Sequence, residues 1–269
     1  MRDIAEIQTA LYDKTAGLAA RIVRDIGSYT VALLSVTGSG RDEVLGFKGS
    51  GTLVSIGDSL YVLTAAHVWE LFADAVGIGL TLDEEHVDHR FFIDIREIVP
   101  FGPKDTALWG PQGLDLRFLK IPPQPAAELR NVKKVYALTA EIPELPKVSS
   151  LGVWVLLGSP YEQSTITSKH ASLTMNGFFA TIKSEFVLNG HDYFELEMNP
   201  SHPGIPRRFY GVSGGGFWNV EMYWSASGEI QWFLTLVGMA CWQLIVASDP
   251  QIVRCLGAKS IRSLVPQLS

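Results

Sequence analysis

The sequence predicts an all-β fold of packed antiparallel barrels preceded by one amphipathic helix, and three observations carry that prediction. Apolar residues recur at helical spacing over residues 3–26. From Ser28 onward, short β-rich runs follow one another, separated by glycine and proline turns. No solenoid-type repeat and no low-complexity tract interrupts them. Many short strands joined this way suit two packed antiparallel barrels.

The helix is read from Ile4, Ile7, Leu11, Leu18, Ile22 and Ile26, with Asp3 as its N-cap and Gly17 as its weakest position. Its apolar face needs burial, either on a barrel or on a regulatory protein partner. Residues 30–37, 51–56 and 60–64 read as strands, with Gly57-Asp58 as the turn between the last two. A short helix over 66–73 contains His67. Further strands are expected near 76–82, 91–98, 115–121, 134–139, 151–157, 178–188, 192–198, 216–220 and 231–239. Pro122, Pro123 and Pro125 stop the strand at 115–121 and begin a connection. The chain therefore divides into a helical extension (1–27), a first barrel (28–125) and a second barrel (126–269).

Composition narrows the function classes. The chain has 269 residues, 47% hydrophobic and only 19% charged, with a formal net charge of −6. That balance gives no support for nucleic acid or an anionic membrane as a partner. No apolar run reaches the roughly 20 residues of a membrane helix. Residues 1–25 lack the continuous apolar core of a signal peptide. There are two cysteines, Cys241 and Cys255. The reading is a cytoplasmic protein with both thiols reduced, one disulfide being the alternative.

Three short motifs carry chemistry. Gly211-Val212-Ser213-Gly214-Gly215 sets a serine among glycines. A serine hydroxyl is a weak nucleophile and needs an adjacent base. Gly211 lets a substrate carbonyl approach, its N–H and that of Ser213 can receive an oxyanion, and Gly214 and Gly215 permit a tight turn. Leu63-Thr64-Ala65-Ala66-His67-Val68 supplies a histidine, and Leu114-Asp115-Leu116-Arg117-Phe118-Leu119-Lys120-Ile121 an acid. The order is His, Asp, Ser, at gaps of 48 and 98 residues. Together these motifs resemble the trypsin-like serine peptidases. The order excludes an α/β-hydrolase, in which histidine comes last, because the last histidine here is His202. A subtilisin order needs an acid before His67, and Asp25, Asp42 and Asp58 sit in no matching motif.

The resemblance implies two six-stranded antiparallel barrels of trypsin-like type, with His67 and Asp115 on the first and Ser213, the oxyanion hole and the specificity pocket on the second. It implies a serine endopeptidase acting through an acyl-enzyme on a protein or peptide, with no cofactor and no metal. A catalytically silent peptide-binding module and an esterase on the same scaffold are the alternatives. Leu236-Val237-Gly238-Met239-Ala240-Cys241-Trp242-Gln243 resembles the family's substrate-pairing strand, with Cys241 and Gln243 where serine and glycine are usual. Arg207 stands, by offset from Ser213, where relatives place the pocket floor; the alternative is a solvated loop arginine. Arg117 replaces the usual small residue, and Asp105-Thr106-Ala107-Leu108 is a rival acid segment. Val212 stands where many relatives carry an aspartate for a newly freed N-terminus, so activation by N-terminal processing is not expected. Asp83-Glu84-Glu85-His86-Val87-Asp88-His89 reads as a charged surface loop, and His170, His191 and His202 as surface histidines.

Overall fold

The structure, a computed structural model, describes residues 3–13, 15, 17–82, 91–103, 113–141, 150–167, 171–198, 204–244 and 251–268. The expected single helix is two: α1 (Ile4–Tyr12) and α2 (Leu18–Gly27). Asp3 caps α1 as expected, its carboxylate accepting from the N–H of Ala5 at 3.2 Å. The break has a local cause. Asp13 accepts from both the N–H and the hydroxyl of Thr15, a turn that competes with helix, and Gly17 takes a left-handed φ of 65°.

The first half of the chain forms a curled sheet. Its strands are β1 (Thr30–Thr37), β2 (Val44–Ile56), β3 (Ser59–Thr64), β4 (Gly77–Leu80), β5 (Phe91–Asp94), β6 (Val99–Phe101) and β7 (Arg117–Lys120), with the short β8 (Tyr136–Ala137) parallel to β2. Their order is β5-β4-β1-β2-β3-β7-β6. The turn expected at Gly57-Asp58 joins β2 to β3, and Gly57 has φ 55°. β1 is buried from Thr30 to Val36 because β2 and β4 flank it on both edges. The two edge strands, β5 and β6, are consecutive in the chain and separated only by a 3-10 turn (Ile95–Glu97) and Ile98. Among the described residues no ladder joins them, so this half curls without closing by hydrogen bonds. Pro100, in the middle of β6, has no N–H to offer a further strand.

The helix α3 (Ala66–Glu70) follows β3, and α4 (Pro123–Val132) follows β7. α4 was not expected. The prolines that end β7 also begin it, since the first turn of a helix has no use for its N–H groups. The second half forms a closed six-stranded barrel from β9 (Leu151–Gly158), β12 (Asn176–Leu188), β13 (His191–Met198), β14 (Gly216–Trp224), β15 (Ile230–Leu244) and β16 (Gln251–Gly257), in the order β12-β13-β16-β15-β14-β9. A small hairpin, β10 (Thr165–Ile166) and β11 (Ala171–Ser172), is inserted before β12, and α5 (Ala258–Arg262) follows β16.

α1 and α2 bind both halves. Their apolar faces, Ile7, Leu11, Leu18, Ile22 and Ile26, are buried. α1 lies on β9 and β14, and α2 on β1, β9 and β12. Asp25 accepts from the Trp232 indole N–H at 2.8 Å and pairs with Lys134, which lies just beyond α4, at 2.5 Å. The Trp224 indole N–H donates to the Asp3 carbonyl at 3.1 Å.

Candidate functional site

His67 and Asp115 come from the curled sheet. Thr64 ends β3, the fully buried Ala65 and Ala66 let α3 start close beneath it, and His67 stands in the first turn of α3. Asp115 precedes β7 rather than lying in it, in a tight segment where the N–H of Asp115 donates to the Gly113 carbonyl at 3.0 Å. Its side chain is 1% exposed and both oxygens are used on one residue. Oδ1 accepts the His67 backbone N–H at 2.9 Å, and Oδ2 lies 2.5 Å from His67 Nδ1. This double contact fixes the ring and places the Nδ1 proton toward Asp115, leaving Nε2 facing outward.

Arg117 is buried, and its guanidinium donates to the Leu116 carbonyl at 3.1 Å. Burial pushes its pKa down, while the charges of Glu70 and Asp115 hold it up. The rival Asp105 lies outside the described residues, as do residues 83–89, His170 and His202. His191 opens β13 and is half-buried.

Ser213 comes from the closed barrel, in the turn before β14. Gly211 and Gly214 have φ of 90° and 88°, backbone that favours glycine. A Cβ on Gly211 would meet the Phe47 ring and the Ser159 carbonyl, and one on Gly214 the Ser50 carbonyl and the Thr64 hydroxyl. Between them Val212 is buried in an apolar cluster with Phe209, Phe217 and Val253. The turn is tied down by Val212 N–H to Phe209 carbonyl at 3.0 Å, Gly215 N–H to Val212 carbonyl at 2.8 Å and Gly214 N–H to Ala240 carbonyl at 2.8 Å. The N–H groups of Gly211 and Ser213 have no acceptor among the described residues.

The peptide units that carry those two N–H groups are held by their carbonyls. The Tyr210 carbonyl accepts from Tyr161 N–H at 2.7 Å, and the Val212 carbonyl from Gly215. In a planar trans peptide the N–H points opposite to the C=O, so anchoring one aims the other. Two free donors beside one hydroxyl make a site for a developing negative oxygen.

Ser213 Oγ donates to the Cys241 carbonyl at 3.3 Å, and among the described residues no hydrogen bond joins it to His67. Cys241 is the extra residue of a bulge in β15, between the pairs Ala240↔Cys255 and Trp242↔Arg254. Its buried Sγ donates to the Arg254 carbonyl at 3.2 Å, and burial pushes the thiol pKa well up. Trp242 lays its ring 4.9 Å from the His67 ring, tilted 34°. Beyond Ala240, β15 pairs with β16 on one side, and among the described residues no ladder covers the other. That leaves a short free edge at Cys241, Trp242 and Gln243 beside Ser213.

Gln243 ties down the neighbouring loop. Its Oε1 accepts from Phe209 N–H at 2.9 Å, and its Nε2 donates to Gln251 Oε1 at 2.8 Å. Arg207 is exposed, its backbone N–H donating to Glu162 Oε1 at 2.6 Å. Open concavities lined by Phe91, Phe92 and Pro123 and by Ile56, Leu138 and Val265 include none of these site residues.

The sequence motifs thus bring together His67, Asp115, Ser213, Gly211 and Trp242, while Arg207 stays at the rim. The sequence does not single out Ser50, Thr52 and Tyr161, which bond to the turn and its flank. The available signal was Gly49-Ser50-Gly51 in mid-strand, where glycine marks a close backbone approach; a Cβ on Gly49 would meet Val68 and lie 3.2 Å from the Ser213 carbonyl. No protein-family model matches this chain, and no curated protein matches it.

Proposed function

We propose that this chain is a serine endopeptidase of trypsin-like type, acting in the cytoplasm on extended peptide segments. The observation that carries the reading is the buried Asp115 carboxylate holding His67 by both Nδ1 and backbone N–H, on the same cleft as a glycine-flanked serine with two free N–H donors. On this reading the curled sheet is the first of two barrels, its edges brought together by the turn at Ile95–Glu97.

The chemistry follows from the positions. A peptide adds to the free edge at Trp242 and Gln243 by strand pairing. Ser213 Oγ leaves the Cys241 carbonyl, passes its proton to His67 Nε2 and attacks the scissile carbonyl carbon. The oxyanion is received by the N–H groups of Gly211 and Ser213. Asp115 stabilises the imidazolium, which then protonates the leaving amine. Water, deprotonated by His67, releases the acyl group. Two free buried cysteines accord with a reducing compartment, and among the described residues no helix is long and apolar enough to cross a membrane.

One observation favours a second reading. The Ser213 hydroxyl rests on a carbonyl instead of His67, as suits a catalytically silent module that keeps the peptide edge. A fluorophosphonate probe separates the two. The peptidase is labelled at Ser213, and Ser213→Ala is neither labelled nor active. An unlabelled wild-type protein that still binds peptides would establish the silent module.

A further inference from the structure

We infer that Ser50 is a positioning residue whose hydroxyl, reaching from the first sheet, sets the oxyanion turn of the second barrel; the inference rests on the peptidase reading for its catalytic consequence. Ser50 lies in the middle of β2 and is fully buried. Its Oγ donates to the Gly211 carbonyl at 2.7 Å and accepts from the Ser159 N–H at 2.9 Å. Its backbone N–H donates to the Ser213 carbonyl at 2.9 Å, and its own carbonyl accepts from the Thr64 hydroxyl at 2.8 Å. One residue therefore grips the turn at both ends of Gly211–Val212–Ser213.

The second bond extends the grip. Ser159 lies two residues before Tyr161, whose N–H fixes the Tyr210 carbonyl and so aims the Gly211 N–H. The hydroxyl thus acts on Gly211 from both sides, through its carbonyl directly and through the 159–161 segment. Val212 is apolar and buried, so no ion pair at that position orders the turn. The hydroxyl of Ser50, with Thr52 donating to the Gly214 carbonyl at 3.3 Å, does so from across the cleft. The oxyanion donors are then preset whenever the two halves are docked, with no processed N-terminus.

The test uses the full chain with Ser50→Ala, Ser50→Thr and, as a matched control, Ser35→Ala. Ser35 is also buried in the first sheet and donates to a carbonyl, that of Gly46, away from the turn. Two readouts are taken: amide hydrogen exchange over residues 209–215, and the rate of fluorophosphonate labelling at Ser213. Ser50→Ala should speed exchange in that segment and slow labelling by about 100-fold, the loss typical of one oxyanion donor. Ser50→Thr keeps the hydroxyl and should stay near wild type, and Ser35→Ala should leave both readouts unchanged. Unchanged exchange in Ser50→Ala, or an equal labelling loss in Ser35→Ala, overturns the inference. Should Ser50→Ala not fold, the threonine variant decides: labelling near the wild-type rate supports the hydroxyl's role and a large loss overturns it. A wild-type protein that takes no label sinks the peptidase reading alone, and the exchange data still decide whether Ser50 sets the turn.

Discussion

At the scale of single residues, Asp115 is the group whose replacement is most informative. Its two oxygens serve one histidine, and its burial leaves little else to compensate. Asp115→Asn keeps the size but offers an amide N–H₂ where an acceptor is needed, favouring the wrong His67 tautomer. Turnover should fall by about 10⁴-fold, as it does when asparagine replaces the triad aspartate of a serine peptidase. Turnover of a peptide substrate at saturating concentration checks this, and a variant within tenfold of wild type would remove Asp115 from the mechanism. His67, Asp115 and Ser213 were legible because their chemistry comes with neighbours, Ala65-Ala66 before the histidine and glycines around the serine. Ser50 was not, because a buried serine in a strand looks like any other until the structure shows what its hydroxyl reaches. Nor could Gln243 be read as a bridge between the 207–209 loop and β16, since Phe209 lies 34 positions away and β16 is itself not evident in the sequence.

At the scale of elements, strand pairing in the closed barrel has a pH signature. Glu195 on β13 sits opposite Arg254 on β16, with Arg254 Nη2 donating at 2.7 Å. That hydrogen bond holds the Glu195 pKa below the usual glutamate range, against the upward pull of burial. Folding therefore favours the ionised form. The stabilisation is present above the unfolded-state pKa, near 4.3, and is lost as pH falls through the lower folded-state value. Glu195→Gln should lower the melting temperature by about 2 °C at pH 7, from a partly exposed pair worth about 1 kcal/mol. The difference between wild type and variant should shrink below about pH 4, and a constant difference across that range would show that charge is not involved. Elements also show where periodicity misleads. The spacing of Ile4 through Ile26 is continuous, and only the Asp13–Thr15 turn and the backbone of Gly17 divide it. β16 escaped notice because Arg254 and Cys255 break the apolar run, yet it closes the barrel by pairing with β13 and β15. The prolines after β7 predict a stop, although they equally begin a helix.

At the scale of the whole molecule, the helical extension belongs to the core. Five large aliphatic side chains on α1 and α2 are buried, each contributing about 1.5–3 kcal/mol. Their sum is comparable to the whole net stability of a domain, about 5–15 kcal/mol. Deleting residues 1–27 should yield insoluble or unfolded protein, and a soluble variant with a native circular-dichroism spectrum would contradict this. Reductant should have no effect on melting temperature, because Cys241 and Cys255 are free and buried. A fall of several degrees with dithiothreitol would require a disulfide.

The strap formed by α1 and α2 also bears on how the chain comes to be made. Asp3 meets Trp224 across 221 positions of sequence, and Asp25 meets Trp232 across 207. At a translation rate of about 5–20 residues per second, the helices emerge roughly 10–45 s before the Trp224 and Trp232 indoles that they meet exist. Until β9 (Leu151–Gly158) is made, Ile7, Leu11, Ile22 and Ile26 have nothing of their own chain's second barrel to cover them. Such nascent amphipathic segments are what holdase chaperones bind. α1 and α2, made before the curled sheet and the closed barrel, therefore complete their docking late, through contacts of very high sequence separation.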